Sequence, residues 1–288
     1  MDPASPGVIR RLIEEHQFKI KKSLGQNFLT DGNIINKIVD TVELTPGEVV
    51  VEIGPGLGAL TRRLASKARR VIAVEIDRSV FPILAETLAG LDNVVLVQAD
   101  ALKTDFDRLV QDNAGGPAGK FKVAANLPYY ITTPLIMHLL EGRFAIDKAV
   151  VMVQEEVARR LTAAPGTREY GALTVAANFY AEVKTAFKVP RTVFIPRPEV
   201  DSAVVSLTVR NAPAVPVLDE ADYFALVRAA FQQRRKTLLN ALSSAQSCVS
   251  REKWLNILRQ AGINPARRGE TLSMQEFARL ADAYSRTR

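Results

Sequence analysis

Asn126, Leu127, Pro128 and Tyr129 follow directly on the apolar run FKVAAN at 121–126, with Tyr130 next. They sit where a buried strand should run out. An amide oxygen, a stiffened backbone and an aromatic ring suit the task of holding a flat base by its edge and its face. An exocyclic adenine amine is a poor nucleophile, because its lone pair is delocalised into the ring. The Asn126 side-chain oxygen and the Leu127 carbonyl can accept its two hydrogens, Pro128 fixes the backbone angle that aims them, and Tyr129 can stack on the base. Positioning then carries most of the catalysis, with the nitrogen held in line with an electrophilic methyl. No general base is obligatory, since a methylated ammonium conjugated to the ring is a strong acid. The competing reading is an ordinary turn at a strand end, a common place for Asn and Pro.

A second constellation lies upstream. VEIGPGLGAL at 51–60 reads as a strand, a Gly-rich turn and a helix start, in which Gly54, Gly56 and Gly58 let a ligand approach the backbone. Glu75 ends the next apolar run, placed to accept two ribose hydroxyls, and Asp100 ends the one after, placed to meet an adenine amino group. Each acid could equally be an N-cap or a solvated strand end. Gly54, Gly56 and Ala59 also satisfy a dinucleotide pattern, so this motif leaves a nicotinamide dinucleotide and S-adenosylmethionine both open.

Five apolar runs must position these groups: EVVVEIG at 48–54, RVIAVEID at 70–77, NVVLVQAD at 93–100, FKVAANL at 121–127 and DKAVVMVQ at 147–154. Amphipathic stretches between them, such as Leu57 to Ser66 and Arg78 to Leu88, predict a doubly wound α/β domain around a parallel sheet. Segments 182–189 and 203–209 flank the Pro-rich FIPRPEV and predict an antiparallel pair at one side. After the connector NAPAVPVLDE the texture turns helical, at about 220–244, 252–261 and 273–284. The expected division is a Rossmann-like domain over 1–211, including an N-terminal arm, and a small all-helical domain over 212–288.

The chain has 288 residues, 47% of them hydrophobic, and a formal charge of +7 that suits a polyanionic partner. Its single cysteine, Cys248, permits no internal disulfide and reads as a small packing residue. His16 and His138 lie in helical patterns, read as structural, and form no metal cluster. No signal peptide or membrane span is indicated, so a cytoplasmic, metal-free monomer is expected.

The blocks GQNFL at 25–29, VEIGPGLGALT at 51–61, VEID at 74–77, QAD at 98–100, NLPYY at 126–130, FIPRPEVDSAVVSL at 194–207 and FQQRRKTLLNAL at 231–242 resemble, in order, those of the bacterial ribosomal small-subunit RNA adenine dimethyltransferases (the KsgA family). The resemblance runs from about residue 18 to the C-terminus. It implies a class I S-adenosylmethionine-dependent fold and N6,N6-dimethylation of two adjacent adenines in a hairpin loop near the 3′ end of 16S rRNA, in the assembling 30S subunit. It implies cofactor contacts from Asn27, Leu29, Gly54, Glu75, Asp100 and Asn126, a set we extend to Gly56, Ile76 and Ala101. It matches Asn126 and Tyr129 to the catalytic motif, and Phe194 to an aromatic that sandwiches the base opposite Tyr129. Without it, Asn27-Phe28-Leu29 reads as a helix-capping loop with Phe28 buried. Tyr130 and Thr132 are expected to support the loop and start the next helix. For RNA phosphates the candidates are Lys21, Lys22, Arg197, Arg234, Arg235 and Lys236, with helix capping or packing of the Arg stems as the competing role. The rival readings are a 23S rRNA adenine methyltransferase of the antibiotic-resistance type, a ribosome assembly or transcription factor on the same fold, and an NAD-dependent oxidoreductase.

Overall fold

The structure is a computed structural model and describes residues 3–21, 24–117, 119–245 and 248–287. Lys22 lies outside the described residues. Two compact units emerge: 1–158 with 182–209, and 159–181 with 210–288.

The first unit is built on β2 (Val49–Ile53), β3 (Arg70–Glu75), β4 (Val94–Gln98), β5 (Phe121–Asn126), β6 (Ile146–Gln154), β7 (Ala181–Val189) and β9 (Ser202–Val209). Two short strands, β1 (Phe28–Leu29) and β8 (Phe194–Ile195), pair antiparallel with each other. The main sheet runs β4-β3-β2-β5-β6-β9-β7, parallel from β4 to β6, with β9 antiparallel to β6. Burial follows this order. All five residues of β2 are buried at the centre, whereas β4 and β7 at the edges are half-exposed, and β7 carries Glu182, Lys184 and Lys188, charges that discourage edge pairing. The chain leaves β2 in one direction to build β3 and β4, then returns to place β5 on the other side. This switch point opens a crevice at the carboxyl ends of β2 and β5. The register levels those ends, because Ile53 faces both Val74 and Ala125, and Val74 faces Val97. Behind the crevice, helix Gly32–Val42 starts where the Asp31 side chain accepts from the Asn33 and Ile34 amides. Its buried Ile35, Ile38, Val39 and Val42 follow helical spacing and join a core with Val50, Ala124, Val150 and Val204.

The segment 27–29 is therefore strand rather than capping loop over Phe28 and Leu29, and Phe28 is buried as expected. The helix after the Gly-rich turn spans Ala59–Ala65, and Phe81–Thr87 follows a 3₁₀ turn at Arg78–Val80.

The second unit is helical. Its core gathers Tyr170, Val175 and Phe179 with Tyr223, Leu226, Trp254, Phe277 and Tyr284, so residues 159–181, read above with the first domain, pack with the second. The Tyr170 hydroxyl ties that segment down by donating to the Leu272 carbonyl at 2.9 Å. The helical stretch expected over 220–244 is two helices, Glu220–Gln232 and Leu238–Ala245. Gln233 leaves helical geometry at φ −128° and ψ 63°, and the Leu238 amide donates to the Arg267 carbonyl. Helices Arg251–Gln260 and Met274–Ser285 complete the unit, the second opened by a capping box of Ser273 and Glu276.

Candidate active site

The crevice at the strand ends widens into a cavity of about 320 Å³. Its lining includes Asn27, Leu29, Gly54, Gly56, Glu75, Ile76, Asp100, Ala101, Asn126, Leu127, Pro128 and Tyr129. Residues from five separated blocks of sequence thus meet at one sheet edge. Gly54 and Gly56 turn the chain with φ of 73° and 56°, and a Cβ on Gly56 would come within 3.2 Å of the Phe28 ring, so a side chain there would strain the backbone and crowd that ring.

Glu75 is buried, and its Oε1 accepts from the Asp77 amide at 2.7 Å. Burial pushes its pKa up, against the pull of that amide. Asp100 divides its work: Oδ1 accepts from the Leu102 amide at 3.0 Å, while Lys103 stands 3.8 Å from Oδ2. That first bond closes a turn at 101–103 and caps no helix, and Asp100 also stands in the cavity wall.

Asn126 ends β5 half-buried, and its Nδ2 donates to the Asn27 carbonyl at 3.1 Å. A carbonyl partner demands a donor, which fixes the amide orientation and leaves Oδ1 as the acceptor. The Leu127 amide donates to the Met152 carbonyl at 3.1 Å, anchoring the next residue to β6. Pro128 offers its carbonyl to the Ile131 amide and, at 3.0 Å, to the Thr132 hydroxyl, and Thr132 opens the helix as expected. The Tyr129 hydroxyl is 3.0 Å from Ser202 Oγ on β9, and burial raises its pKa, keeping it neutral. Tyr130, in the same loop, also lines the cavity. It is 55% exposed in the cavity wall, with the charges of Asp100 and Glu75 close enough to raise its pKa after burial.

Four expectations need correction. Phe194 is only 4% exposed and packs in the core with Leu29, Val189 and Val204, outside the cavity lining, because its strand β8 is folded against β1. Lys21, a candidate for phosphate contact, already has a carboxylate partner, Asp77 at 2.7 Å. Arg234 donates to the carbonyls of Arg168 and Tyr170 at 2.7 and 3.0 Å and pairs with Glu270 at 3.3 Å, the structural alternative for that cluster. Cys248 is exposed. Arg197, Arg235 and Lys236 are exposed. His16 meets Glu86 at 2.8 Å and His138 the Thr104 carbonyl at 2.9 Å, structural positions as read.

The sequence reading missed Glu52. It is 1% exposed in the cavity wall, its Oε2 has no hydrogen-bond partner among the described residues, and its pKa is pushed up to about 8. Burial is the main cause; Thr61 nearby lowers it and the Glu75 charge raises it. The signal was a carboxylate inside the otherwise apolar VVVEI. With Glu52, Glu75 and Asp100 the wall holds three acids, and among the described residues no Lys or Arg lines it. Without a basic side chain such a wall disfavours a pyrophosphate, which favours S-adenosylmethionine over the dinucleotide left open by the glycines.

A family profile described as ribosomal RNA adenine dimethylase matches residues 17–284. The chain belongs to the ribosomal RNA adenine dimethylases. This dimethylase is 55% identical over 285 residues to the ribosomal RNA small subunit methyltransferase A of Pelotomaculum thermopropionicum, covering 98% of this chain and 97% of that one. To the protein of the same name from Moorella thermoacetica it is 56% identical over 281 residues, 96% and 97% of the two chains. Among solved structures it is similar to a dimethyladenosine transferase from Plasmodium falciparum, with a TM-score of 0.74 at 26% identity over 88% of this chain and 95% of that one. It is also similar to the 23S rRNA methyltransferase ErmE, with a TM-score of 0.67 at 30% identity over 90% and 99%. The dimethylase has a Rossmann-like fold and is an S-adenosylmethionine-dependent rRNA adenine dimethyltransferase.

Proposed function

We propose that the dimethylase acts on small-subunit rRNA and converts two adjacent adenines, in a hairpin loop near the 3′ end of 16S rRNA, to N6,N6-dimethyladenosine in the assembling 30S particle. The names of its relatives at 55% and 56% identity support the small subunit. One observation carries the chemistry: the Asn126 amide is locked by the Asn27 carbonyl, with its oxygen left as acceptor.

In this reading an extruded adenine enters over Asn126 and Tyr129, and a loop target makes extrusion cheap. Asn126 Oδ1 and the Leu127 carbonyl accept its two amino hydrogens and draw the nitrogen lone pair out of conjugation. Tyr129, held by Ser202, offers its ring to the base. S-adenosylmethionine supplies an electrophilic methyl on a sulfonium. Asn27, Leu29, Gly54, Gly56, Ile76 and Ala101 shape its pocket, while Glu75 takes the ribose and Asp100 the adenine amine. Glu52 lines the same cavity with a carboxyl oxygen that has no hydrogen-bond partner among the described residues, and in its neutral form it can exchange a hydrogen bond with a polar group of the ligand. On transfer the methyl carbon–sulfur bond would break, leaving a neutral thioether, while the amine takes the methyl and releases a proton to water or a nearby acceptor. Phe194 would have to leave its packed site to meet a base, so base stacking is assigned to Tyr129 alone. Arg197, Arg235 and Lys236 remain the candidates for phosphate contact.

The similarity to a 23S enzyme at 30% identity makes substrate choice the point to test. Labelled S-adenosylmethionine is supplied with unmethylated small subunits or with large subunits, and nucleosides are analysed by mass. Dimethyladenosine at two neighbouring positions of 16S rRNA is expected. Label confined to 23S rRNA would overturn the assignment.

A further inference from the structure

The Asp77 carboxylate lies two residues beyond Glu75, with its side chain only 1% exposed, yet no step above uses it. Four donors converge on it. Ser79 gives its amide at 3.0 Å and its hydroxyl at 2.6 Å, Lys21 Nζ reaches Oδ1 at 2.7 Å, and Gln26 Nε2 reaches Oδ2 at 2.8 Å. The first two are a local turn. The other two come from the N-terminal arm, 56 and 51 positions away. Gln26 closes the link by accepting the Lys21 amide on its Oε1 at 2.8 Å. These charge-assisted bonds hold Asp77 ionised, with its pKa lowered to about 2 despite the opposing effect of burial.

The clamped arm leads straight to the reacting groups. A Cβ on Gly25 would stand 3.2 Å from Pro128 Cβ, so the arm backbone lies directly on the catalytic loop. Asn27 Nδ2 donates to the Gly25 carbonyl at 2.9 Å, which braces the turn, and the Asn27 carbonyl holds the Asn126 amide. Strand β3 thus ends in two carboxylates with different partners, Glu75 in the cavity wall and Asp77 on the arm, joined by the bond from the Asp77 amide to Glu75.

We infer that Asp77 is a positioning residue: by holding Lys21 and Gln26 it keeps the Asn27 carbonyl under the Asn126 amide and so sets the acceptor for the target amine. The inference rests on the reading of Asn126 given above. Nothing in Asp77 itself touches a reactant, so its effect passes through the arm.

Two measurements on the full chain test it. Limited trypsin digestion, followed by mass spectrometry, reports the rate at which N-terminal fragments ending at Lys19 or Lys21 are released. Steady-state methylation of small subunits reports kcat and KM separately. In Asp77→Asn, fragment release is expected at least tenfold faster and kcat at least tenfold lower, with KM for the subunit within about threefold. Gln26→Ala, which leaves the β3 end intact, is expected to move both quantities the same way by a smaller factor, and it serves where Asp77→Asn fails to fold. Release rates and kcat within twofold of wild type in both variants would overturn the clamp, as would faster release with kcat unchanged. Turnover of Asn126→Ala within twofold of wild type would sink the reading of the amide, while the release rates still decide the clamp.

Discussion

At the scale of single residues, hydrogen-bond direction and burial decide what each polar group can do. Asn126 contributes an oxygen because its nitrogen is already engaged. Replacing it by Ala is expected to leave cofactor binding within about threefold and to cut turnover by about 100-fold or more, the scale on which misplacement of a reacting atom is felt. Parallel calorimetric titration and methylation assays check both halves. Glu75→Ala is expected to weaken cofactor binding by about 10- to 100-fold, the worth of charge-assisted hydrogen bonds; an unchanged dissociation constant would remove the ribose contact. Glu52 gives a prediction with a sign. Its pKa rises from 4.5 in the unfolded chain to about 8 in the fold, so the native state holds the proton more tightly. That contribution is complete below pH 4.5 and is lost as pH rises towards 8, at up to about 1.4 kcal/mol per pH unit. Glu52→Gln should therefore flatten the fall in the ligand-free melting temperature between those pH values and be the more stable protein at pH 8. Parallel melting curves for the two proteins would show that Glu52 does not titrate this way.

At the scale of elements, the legible features were those encoded locally. The sheet strands were legible because each is a continuous apolar run bounded by turn residues, and the central ones are buried on both faces. The break at 233–237 was not legible. The apolar spacing of 220–244 continues across it, and what opens the helix is a set of distant partners: Arg234 bonded to carbonyls at 168 and 170, and the Leu238 amide bonded to Arg267. The last helix shows the opposite case. Ser273 and Glu276 stand three apart in sequence and cap each other, with the Ser273 amide donating to Glu276 at 2.8 Å. Ser273→Ala is expected to cost about 1 kcal/mol, read as a lower urea midpoint at unchanged slope. Glu276 also pairs with Arg267, which holds its pKa near 2. Being depressed, that pKa confers stability present above pH 4.5 and lost as pH falls towards 2.

At the scale of the whole molecule, charge and connectivity matter more than any one contact. The formal charge of +7 favours a polyanion, and among the basic candidates Arg235 and Lys236 are exposed in a turn of the helical unit, where Arg234 is occupied. Arg235→Ala with Lys236→Ala is expected to weaken binding of RNA regardless of its sequence and to reduce the slope of log affinity against log salt by about one for each phosphate no longer neutralised. An unaltered slope in filter binding would take these two residues out of the interface. The order of the sheet strands works at this scale too, because only the reversal between β2 and β5 brings the Gly-rich turn beside Asn126.

By itself the sequence determined the kinds of groups at the strand ends: a glycine turn, two acids and an amide with an aromatic neighbour. Strand, turn and residue chemistry are short-range properties, and neighbouring residues suffice to specify them. Tertiary structure alone decided which end of the Asn126 amide is presented, since its partner Asn27 is 99 positions away. It likewise buried Phe194 beside Leu29, gave Lys21 to Asp77 and neutralised Glu52, because pairing, desolvation and charge depend on what the folded chain brings within a few ångströms.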